Sequence, residues 1–196
     1  MMLSSPYLKT VRQYLTEFKY YFLKSDQSLR VVNWCHNHRM ELTELPVTFP
    51  GKIYRSAMPF STYDPDGELI RAYKNGGVSM IVLLASDEEC LRITGRDLRS
   101  IYNEEDFEVQ YLPIPDFSTP EVDDLREAVQ QVLSHSRSGK GIAIHCHAGI
   151  GRTGMFAAGL AKMGMDLSSD EAIRWIRKSI PGAIEVPEQE QLVRSL

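Results

Sequence analysis

The stretch from residue 141 to residue 154, Gly-Ile-Ala-Ile-His-Cys-His-Ala-Gly-Ile-Gly-Arg-Thr-Gly, constrains this chain more than any other part of it. It begins with a short apolar run flanked by glycine, which predicts a buried strand. Residues 155–161 are too apolar for a surface loop and predict a buried helix. A tight turn between a strand and a helix aims several backbone N–H groups at one point, at the positive end of the helix dipole. The stretch therefore predicts a binding site for a dianion.

Two side chains of this turn add chemistry to the predicted anion site. Arg152 can fork two hydrogen bonds onto a phosphate or sulfate, which a lysine cannot do in the same fixed plane. Cys146 lies at the mouth of the turn, where the N–H groups and the guanidinium would stabilise its thiolate, the nucleophilic form of the side chain. Thr153 could donate its hydroxyl to that sulfur and assist its departure. The pattern therefore predicts a nucleophilic cysteine inside a phosphate site.

Residues 145–154 resemble the His-Cys-x5-Arg-Ser/Thr signature of the Cys-dependent protein tyrosine phosphatases and their dual-specificity branch. The resemblance implies that Cys146 attacks phosphorus while Arg152 and the loop amides hold the phosphoryl oxygens. It also implies that the residues between them bind the substrate phosphate: His147, Ala148, Gly149, Ile150 and Gly151. The alternative interpretation, a buried and inert cysteine, suits Cys35 and Cys90 better.

A stiffened aspartate loop is the second candidate for catalysis. Residues 112–120, Leu-Pro-Ile-Pro-Asp-Phe-Ser-Thr-Pro, place prolines on both sides of Asp116. The segment resembles the general-acid loop of the same family, which implies that Asp116 protonates the leaving oxygen as its P–O bond breaks. The alternative is an aspartate in an ordinary turn.

The segment Pro-Gly-Ala-Ile-Glu-Val-Pro-Glu-Gln at residues 181–189 resembles the part of some family members that carries a water-positioning glutamine. The resemblance implies this role for Gln189, with Gln191 as the second choice. The alternative is an exposed glutamine on a helix.

The fold class predicted from the order of elements is α/β, with a central, mostly parallel twisted sheet of four to five strands flanked by helices. The predicted strands cover residues 78–84, 107–111 and 142–144. The predicted helices cover residues 68–75, 87–102 with a break near Gly95, 120–136 and 168–180. Ligands of such sheets bind at the carboxyl ends of the strands, which is where Cys146 lies. The architecture is the one that the resemblance to protein tyrosine phosphatases also implies.

The N-terminal region predicts a separate element. Residues 5–24 carry an apolar stripe at steps of three and four residues, typical of an amphipathic helix. We expect residues 1–26 to be a helical segment packed on or appended to a catalytic domain at residues 27–196. Because this helix is basic, docking to a membrane surface or a partner is the alternative.

Composition excludes several classes of protein. A net charge of −4 disfavours a nucleic-acid binder of the usual basic kind. Three scattered cysteines give no disulfide framework and indicate a reducing compartment, so we expect a cytoplasmic protein. No apolar run approaches the roughly 18 residues that predict a membrane span. We expect a monomer that needs no cofactor and no metal.

These features together predict a phosphatase that hydrolyses phosphate monoesters through a cysteinyl-phosphate intermediate. The expected substrate is a phosphorylated protein, carrying phosphotyrosine and also phosphoserine or phosphothreonine. One alternative is a phosphoinositide or RNA 5′-phosphatase of the same superfamily, although no lysine occurs among residues 147–151, where phosphoinositide phosphatases often carry lysines. The other alternative is a catalytically weak scaffold that only binds phosphate.

Overall fold

The computed structural model describes residues 42–196, which form one mixed sheet and the helices around it. The strands are β1 (Thr43–Leu45), β2 (Ile53–Ser56), β3 (Val78–Leu83), β4 (Glu108–Tyr111) and β5 (Gly141–His145). The helices are α1 (Glu68–Asn75), α2 (Asp87–Thr94), α3 (Leu98–Glu104), α4 (Val122–Arg137), α5 (Gly151–Gly164), α6 (Ser169–Ser179) and α7 (Pro187–Ser195).

The sheet has the order β1-β2-β5-β3-β4. Strands β2, β5, β3 and β4 are parallel to their neighbours, and only β1 pairs antiparallel, with β2. In the register, Ile144 of β5 lies opposite Arg55 of β2 on one side and Val82 of β3 on the other. The predicted α/β class with a mostly parallel sheet of four to five strands is confirmed.

Strand β5 lies at the centre of the sheet, and all five of its residues are buried. A strand covered on both faces needs no polar side, which is why its sequence is an apolar run rather than an alternation. The helix that follows, α5, is buried over residues 151–161 and packs against α4, α6 and α7. The turn between β5 and α5 therefore has a buried strand on one side and a buried helix on the other.

The helix boundaries differ from the predicted ones where capping decides them. The helix predicted over residues 87–102 is two helices, because Gly95 adopts a left-handed conformation with φ of 69° and ends α2. Asp97 then caps α3 through the backbone N–H of Ser100. Helix α4 begins at Val122, two residues later than predicted. Ser168 caps α6 in a capping box with Glu171.

The helix predicted over residues 5–24 and the domain boundary predicted after residue 26 lie outside the described residues. Within residues 42–196, no helix combines the length and the apolar character that crossing a membrane requires.

Candidate active site

The turn between β5 and α5 is held by backbone contacts to the end of β2, one of the two strands beside β5. Met58, just after β2, donates its backbone N–H to the carbonyl oxygen of His147 at 2.9 Å. Gly149 has φ of 71°, and a Cβ at this position would collide with the carbonyl oxygen of Ser56. Only glycine combines this backbone conformation with so close an approach. The turn therefore has one well-defined backbone path, which requires glycine at position 149.

The backbone N–H groups of this turn are not used by the rest of the described chain. Among residues 42–196, no backbone carbonyl accepts a hydrogen bond from the N–H of His147, Ala148, Gly149 or Ile150. The next N–H groups belong to the first turn of α5, where a helix has no internal partner for them. Successive free N–H groups at the start of a helix form an anion-binding concavity. This arrangement is the one that the predicted dianion site requires.

Cys146 follows the last residue of β5 and is 3% exposed. Its interaction with Arg152 is one of the influences that raise the pKa of that guanidinium, so the two side chains act on each other electrostatically. The Thr153 hydroxyl is buried and has no hydrogen-bond partner among the described residues. A buried hydroxyl without a partner is costly in a folded protein, and such groups are often kept for function. The structure therefore brings together the predicted nucleophile, its arginine and a free hydroxyl.

Arg152 is held by a carboxylate that sequence reasoning missed. Its Nη1 and Nη2 donate to the two carboxylate oxygens of Glu89, on α2, at 2.7 and 2.8 Å. Nη1 also donates to the backbone carbonyl of Ile114 at 3.0 Å. Burial lowers the pKa of Arg152, but hydrogen bonding to Glu89 and the charges of Cys146 and Asp116 outweigh this effect and raise it above its usual value. The guanidinium is thus charged, buried and fixed in one orientation.

The predicted general acid lies on the other side of the same arginine. Asp116 Oδ1 is 3.0 Å from Arg152 Nη2, and the aspartate side chain is 53% exposed. Since Glu89 occupies the Nη1–Nη2 edge of the guanidinium, a bound phosphate would use the Nε–Nη2 edge, towards Asp116. The loop also carries Phe117, which has a φ of 56° and is 49% exposed. Asp116 therefore lies at the solvent side of the predicted phosphate site.

A buried histidine contacts the backbone of Cys146, the predicted nucleophile. His145 Nδ1 is 3.0 Å from the carbonyl oxygen of Cys146, and Nε2 is 2.8 Å from the hydroxyl of Tyr102 on α3. A neutral ring satisfies both contacts when Nδ1 donates and Nε2 accepts. Burial lowers the pKa of His145 to about 4. Tyr102 was not identified from the sequence, because its apolar surroundings resemble any core position.

His147 lines the turn beside Tyr63, with ring centroids 5.5 Å apart. Burial lowers its pKa below the usual value for histidine. Because His147 is then neutral at pH 7, Arg152 provides the positive charge within residues 146–152.

Gln189 lies at the site but does not face its centre. The side chain is fully buried, its Oε1 accepts from the backbone N–H of Glu185 at 3.0 Å, and its Nε2 donates to the carbonyl of Ser118 at 3.2 Å. The alternative of an exposed helical glutamine is therefore wrong. The contacts make Gln189 a bridge between the Asp116 loop and the segment before α7.

Comparison with known protein families matches residues 61–165 to a family described as a polymorphic toxin system DSP-PTPase phosphatase. The crystal structure of Tk-PTP in its active form is 30% identical, with a TM-score of 0.64, and the match covers 74% of this chain and 91% of that chain. The kinase associated phosphatase with serine in place of its catalytic cysteine has a TM-score of 0.71 at 19% identity, over 81% of this chain and 94% of that chain, which indicates a shared fold.

Among curated proteins, the mouse (Mus musculus) dual specificity protein phosphatase CDC14B is 36% identical over 88 residues, or 44% of this chain. The chain spans 17% of the length of that relative. The fold, the loop geometry and these matches agree. The chain belongs to the DSP-PTPase phosphatase family, within the dual-specificity branch of the Cys-dependent protein tyrosine phosphatases.

Proposed function

We propose that this protein hydrolyses phosphate monoesters on phosphorylated proteins through a cysteinyl-phosphate intermediate. The observation that carries the proposal is the convergence of Cys146, the buried Arg152 and the unused N–H groups of residues 147–150 on one turn. These are a nucleophile, a fixed positive charge and a set of oriented dipoles, which are the requirements for phosphoryl transfer to a side chain.

In the first proposed step, the thiolate of Cys146 attacks phosphorus and the bond from phosphorus to the leaving oxygen breaks. Arg152 and the loop N–H groups hold the non-bridging oxygens, whose charge the transition state redistributes. Asp116, at the solvent side of Arg152, gives its proton to the leaving oxygen. The products are an alcohol or phenol and a phosphorylated Cys146.

In the second step, a water attacks phosphorus and the P–S bond breaks, which returns the electron pair to the sulfur. The Thr153 hydroxyl, which is buried and without a partner in the described residues, can donate to the departing thiolate. Asp116 can take the proton of the water, since the first step leaves it ionised.

The substrate class follows from the charge of the turn. Because His147 is neutral, residues 147–151 add no positive charge to that of Arg152. This disfavours ligands that carry several phosphates close together. We therefore propose a phosphorylated side chain, phosphotyrosine and also phosphoserine or phosphothreonine, rather than a phosphoinositide.

We also propose a cytoplasmic location, because Cys90 and Cys146 are free thiols and a thiolate nucleophile requires reducing conditions.

The decisive experiment compares Cys146→Ser with Cys90→Ser on an aryl phosphate and on a tyrosine-phosphorylated peptide. Cys90 is buried, and burial raises its pKa to about 12, so it is a thiol without a nucleophilic role. We expect Cys146→Ser to abolish phosphate release while still binding vanadate, and Cys90→Ser to retain turnover. Turnover by Cys146→Ser would exclude the cysteinyl-phosphate route.

A further inference from the structure

We infer that Ser79, His135 and Glu108 form a second nucleophilic site, at which Ser79 takes the acyl group of a carboxylic ester and passes it to water. The site is separate from the turn that carries Cys146, and the inference does not depend on the proposed function. Three observations support it: the contacts among the three side chains, an irregularity of β3 that aims the serine, and the open surroundings of its hydroxyl.

The three side chains come from three different elements and contact one another in series. Ser79 Oγ, on β3, is 3.2 Å from His135 Nε2, on α4. His135 Nδ1 is 3.6 Å from a carboxylate oxygen of Glu108, the first residue of β4. A neutral ring with its proton on Nδ1 accepts from the hydroxyl and directs its N–H at the carboxylate. A hydroxyl, a base and a group that orients the base are the arrangement that activates a serine.

An irregularity in β3 aims the serine at the histidine. The register of β3 against β5 shifts between Val78 and Met80, so Ser79 is an extra residue in the ladder. In a regular strand, Ser79 would share the face of Ile81, which packs in a hydrophobic cluster with residues of α1, α2 and α3. Its hydroxyl instead meets α4. Bulges of this kind often lie next to active sites, where they redirect a side chain.

The serine lies at the opposite end of the sheet from Cys146. Cys146 follows the carboxyl end of β5, whereas Ser79 Oγ is 3.4 Å from the carbonyl oxygen of Gly141, the first residue of that strand. Strands β3 and β5 are parallel, and Ser79 is the second residue of β3. Reaction at Ser79 therefore uses no residue of the phosphate-binding turn, and each site can be changed without touching the other.

The surroundings combine a protected base with an open approach to the hydroxyl. The His135 side chain is 8% exposed, and burial lowers its pKa below the usual value, so the ring is neutral at pH 7 and can take a proton. Ser79 is half-buried. The glycines two residues before Ser79 and Gly141 are exposed, and a Cβ at Gly77 or Gly139 would meet no atom within 4 Å. A small substrate can therefore reach the serine from this side.

The charges at this end of the sheet suit an ester better than a phosphate. Attack on a carbonyl carbon develops negative charge on the carbonyl oxygen, which a nearby positive group stabilises. Lys140 is exposed, directly precedes β5, and has a charge that acts on His135. Glu108, which is 60% exposed, adds a negative charge on the same side. The two charges offset each other, so the site favours a neutral substrate over a dianion.

The proposed reaction has two steps. Ser79 Oγ forms a bond to the carbonyl carbon and its proton passes to His135 Nε2, which gives it to the leaving oxygen as the bond from carbon to that oxygen breaks. The products of this step are an alcohol and an acylated Ser79. Water then attacks the acyl carbon and gives a proton to His135. The bond to Ser79 Oγ breaks, the serine recovers its proton from His135, and a carboxylic acid is released.

The test uses a fluorophosphonate, which phosphonylates activated serines, and p-nitrophenyl acetate, whose hydrolysis releases nitrophenol. Both are applied to the full chain carrying Cys146→Ala, so that the thiol does not react. We expect mass spectrometry of the digested protein to find the phosphonate on Ser79. Nitrophenol release should fall about a hundredfold or more in Ser79→Ala and in His135→Gln, and about tenfold in Glu108→Gln. The matched control is Ser134→Ala, an exposed serine of α4 beside His135, which should keep both labelling and release.

Circular dichroism checks that each variant is folded at the assay temperature. His135→Gln retains the serine hydroxyl, so slower labelling in that variant measures activation by the histidine and not the loss of the target atom. A parent protein that carries no phosphonate on Ser79, or equal labelling rates in the parent and in His135→Gln, would overturn the inference. Nitrophenol release that persists at the parental rate in Ser79→Ala would also overturn it. None of these results bears on the reaction proposed for Cys146.

Discussion

Arg152 and Glu89 form a two-pronged ion pair in the interior, with Nη1 and Nη2 donating to the two carboxylate oxygens at 2.7 and 2.8 Å. The guanidinium is 2% exposed and the carboxylate 10% exposed. The pair links the start of α5 to α2, which the chain places more than sixty residues earlier. The orientation of Arg152, the proposed phosphate-binding arginine, is therefore set by a helix outside the signature sequence.

Removing the Glu89 carboxylate should lower the free energy of unfolding. Glu89→Ala leaves a buried charge without its partner, which costs about 3–5 kcal/mol of the free energy of unfolding. The control is Asp87→Ala on the same helix, whose partner Arg99 is exposed and whose loss should cost about 1 kcal/mol or less. Urea unfolding measures both. Equal losses in the two variants would show that Glu89 contributes no more than a surface ion pair.

Replacing Asp116 should affect substrates according to their leaving groups. Asp116→Asn keeps the shape of the side chain but cannot donate a carboxylic proton, so kcat/KM for phosphotyrosine should fall about a hundredfold or more. Aryl phosphates with acidic phenols need little protonation and should be affected much less. Asp124→Asn, at an exposed position in the first turn of α4, is the control and should leave both rates unchanged. If Asp116→Asn slowed all substrates equally, it would not be the general acid.

The backbone path of the turn can be tested with two glycines that share a conformation. Gly149 and Gly77 have φ of 71° and 69°, but a side chain at 77 meets nothing within 4 Å, whereas one at 149 collides with Ser56. We expect Gly77→Ala to cost about 1 kcal/mol from backbone strain alone. Gly149→Ala should also displace the turn and reduce vanadate affinity at least tenfold, measured by competitive inhibition. Unchanged affinity in Gly149→Ala would mean that the turn tolerates another path.

The pH dependence of stability should carry the contribution of His145. Its pKa is lowered by burial from 6.5 to about 4, so the unfolded state binds the proton first as the pH falls. Stability is therefore lost between pH 6.5 and pH 4. We expect the advantage of the wild type over His145→Asn to shrink by about 2 kcal/mol from pH 7.5 to pH 5, in urea unfolding. An advantage that stays constant would mean that His145 titrates normally in the folded protein.

The sequence was most informative where chemistry and local structure use the same residues. The strand, turn and helix around Cys146 are specified within residues 141–161, because the apolar runs and the glycines encode the burial and the turn directly. The loop that carries Asp116 could be predicted for a similar reason, since its flanking prolines mark it, and the acid role of Asp116 stays a prediction. Strand β1 was missed because three residues are too few to show a pattern.

The partners of these residues could not be predicted, because they depend on distant parts of the chain. Glu89 lies in the first turn of α2, where an acidic residue is expected from the helix dipole alone. The contact between Glu185 and Gly151 depends on a left-handed isoleucine, which no sequence pattern favours. The sequence indicates that Gln189 lies near the predicted site, but whether its amide faces the phosphate or the backbone depends on how the loops pack.

Helix α5 is buried through residues 151–161, so the segment that carries Arg152 and Thr153 is also a central part of the hydrophobic core. A catalytic loop on the surface can unfold locally while the rest of an enzyme stays folded. In this protein the proposed catalytic segment is part of the core, so heat inactivation should follow the cooperative melting of the whole domain. Any substitution that loosens the packing around α5 should then lower the catalytic rate as well as the melting temperature.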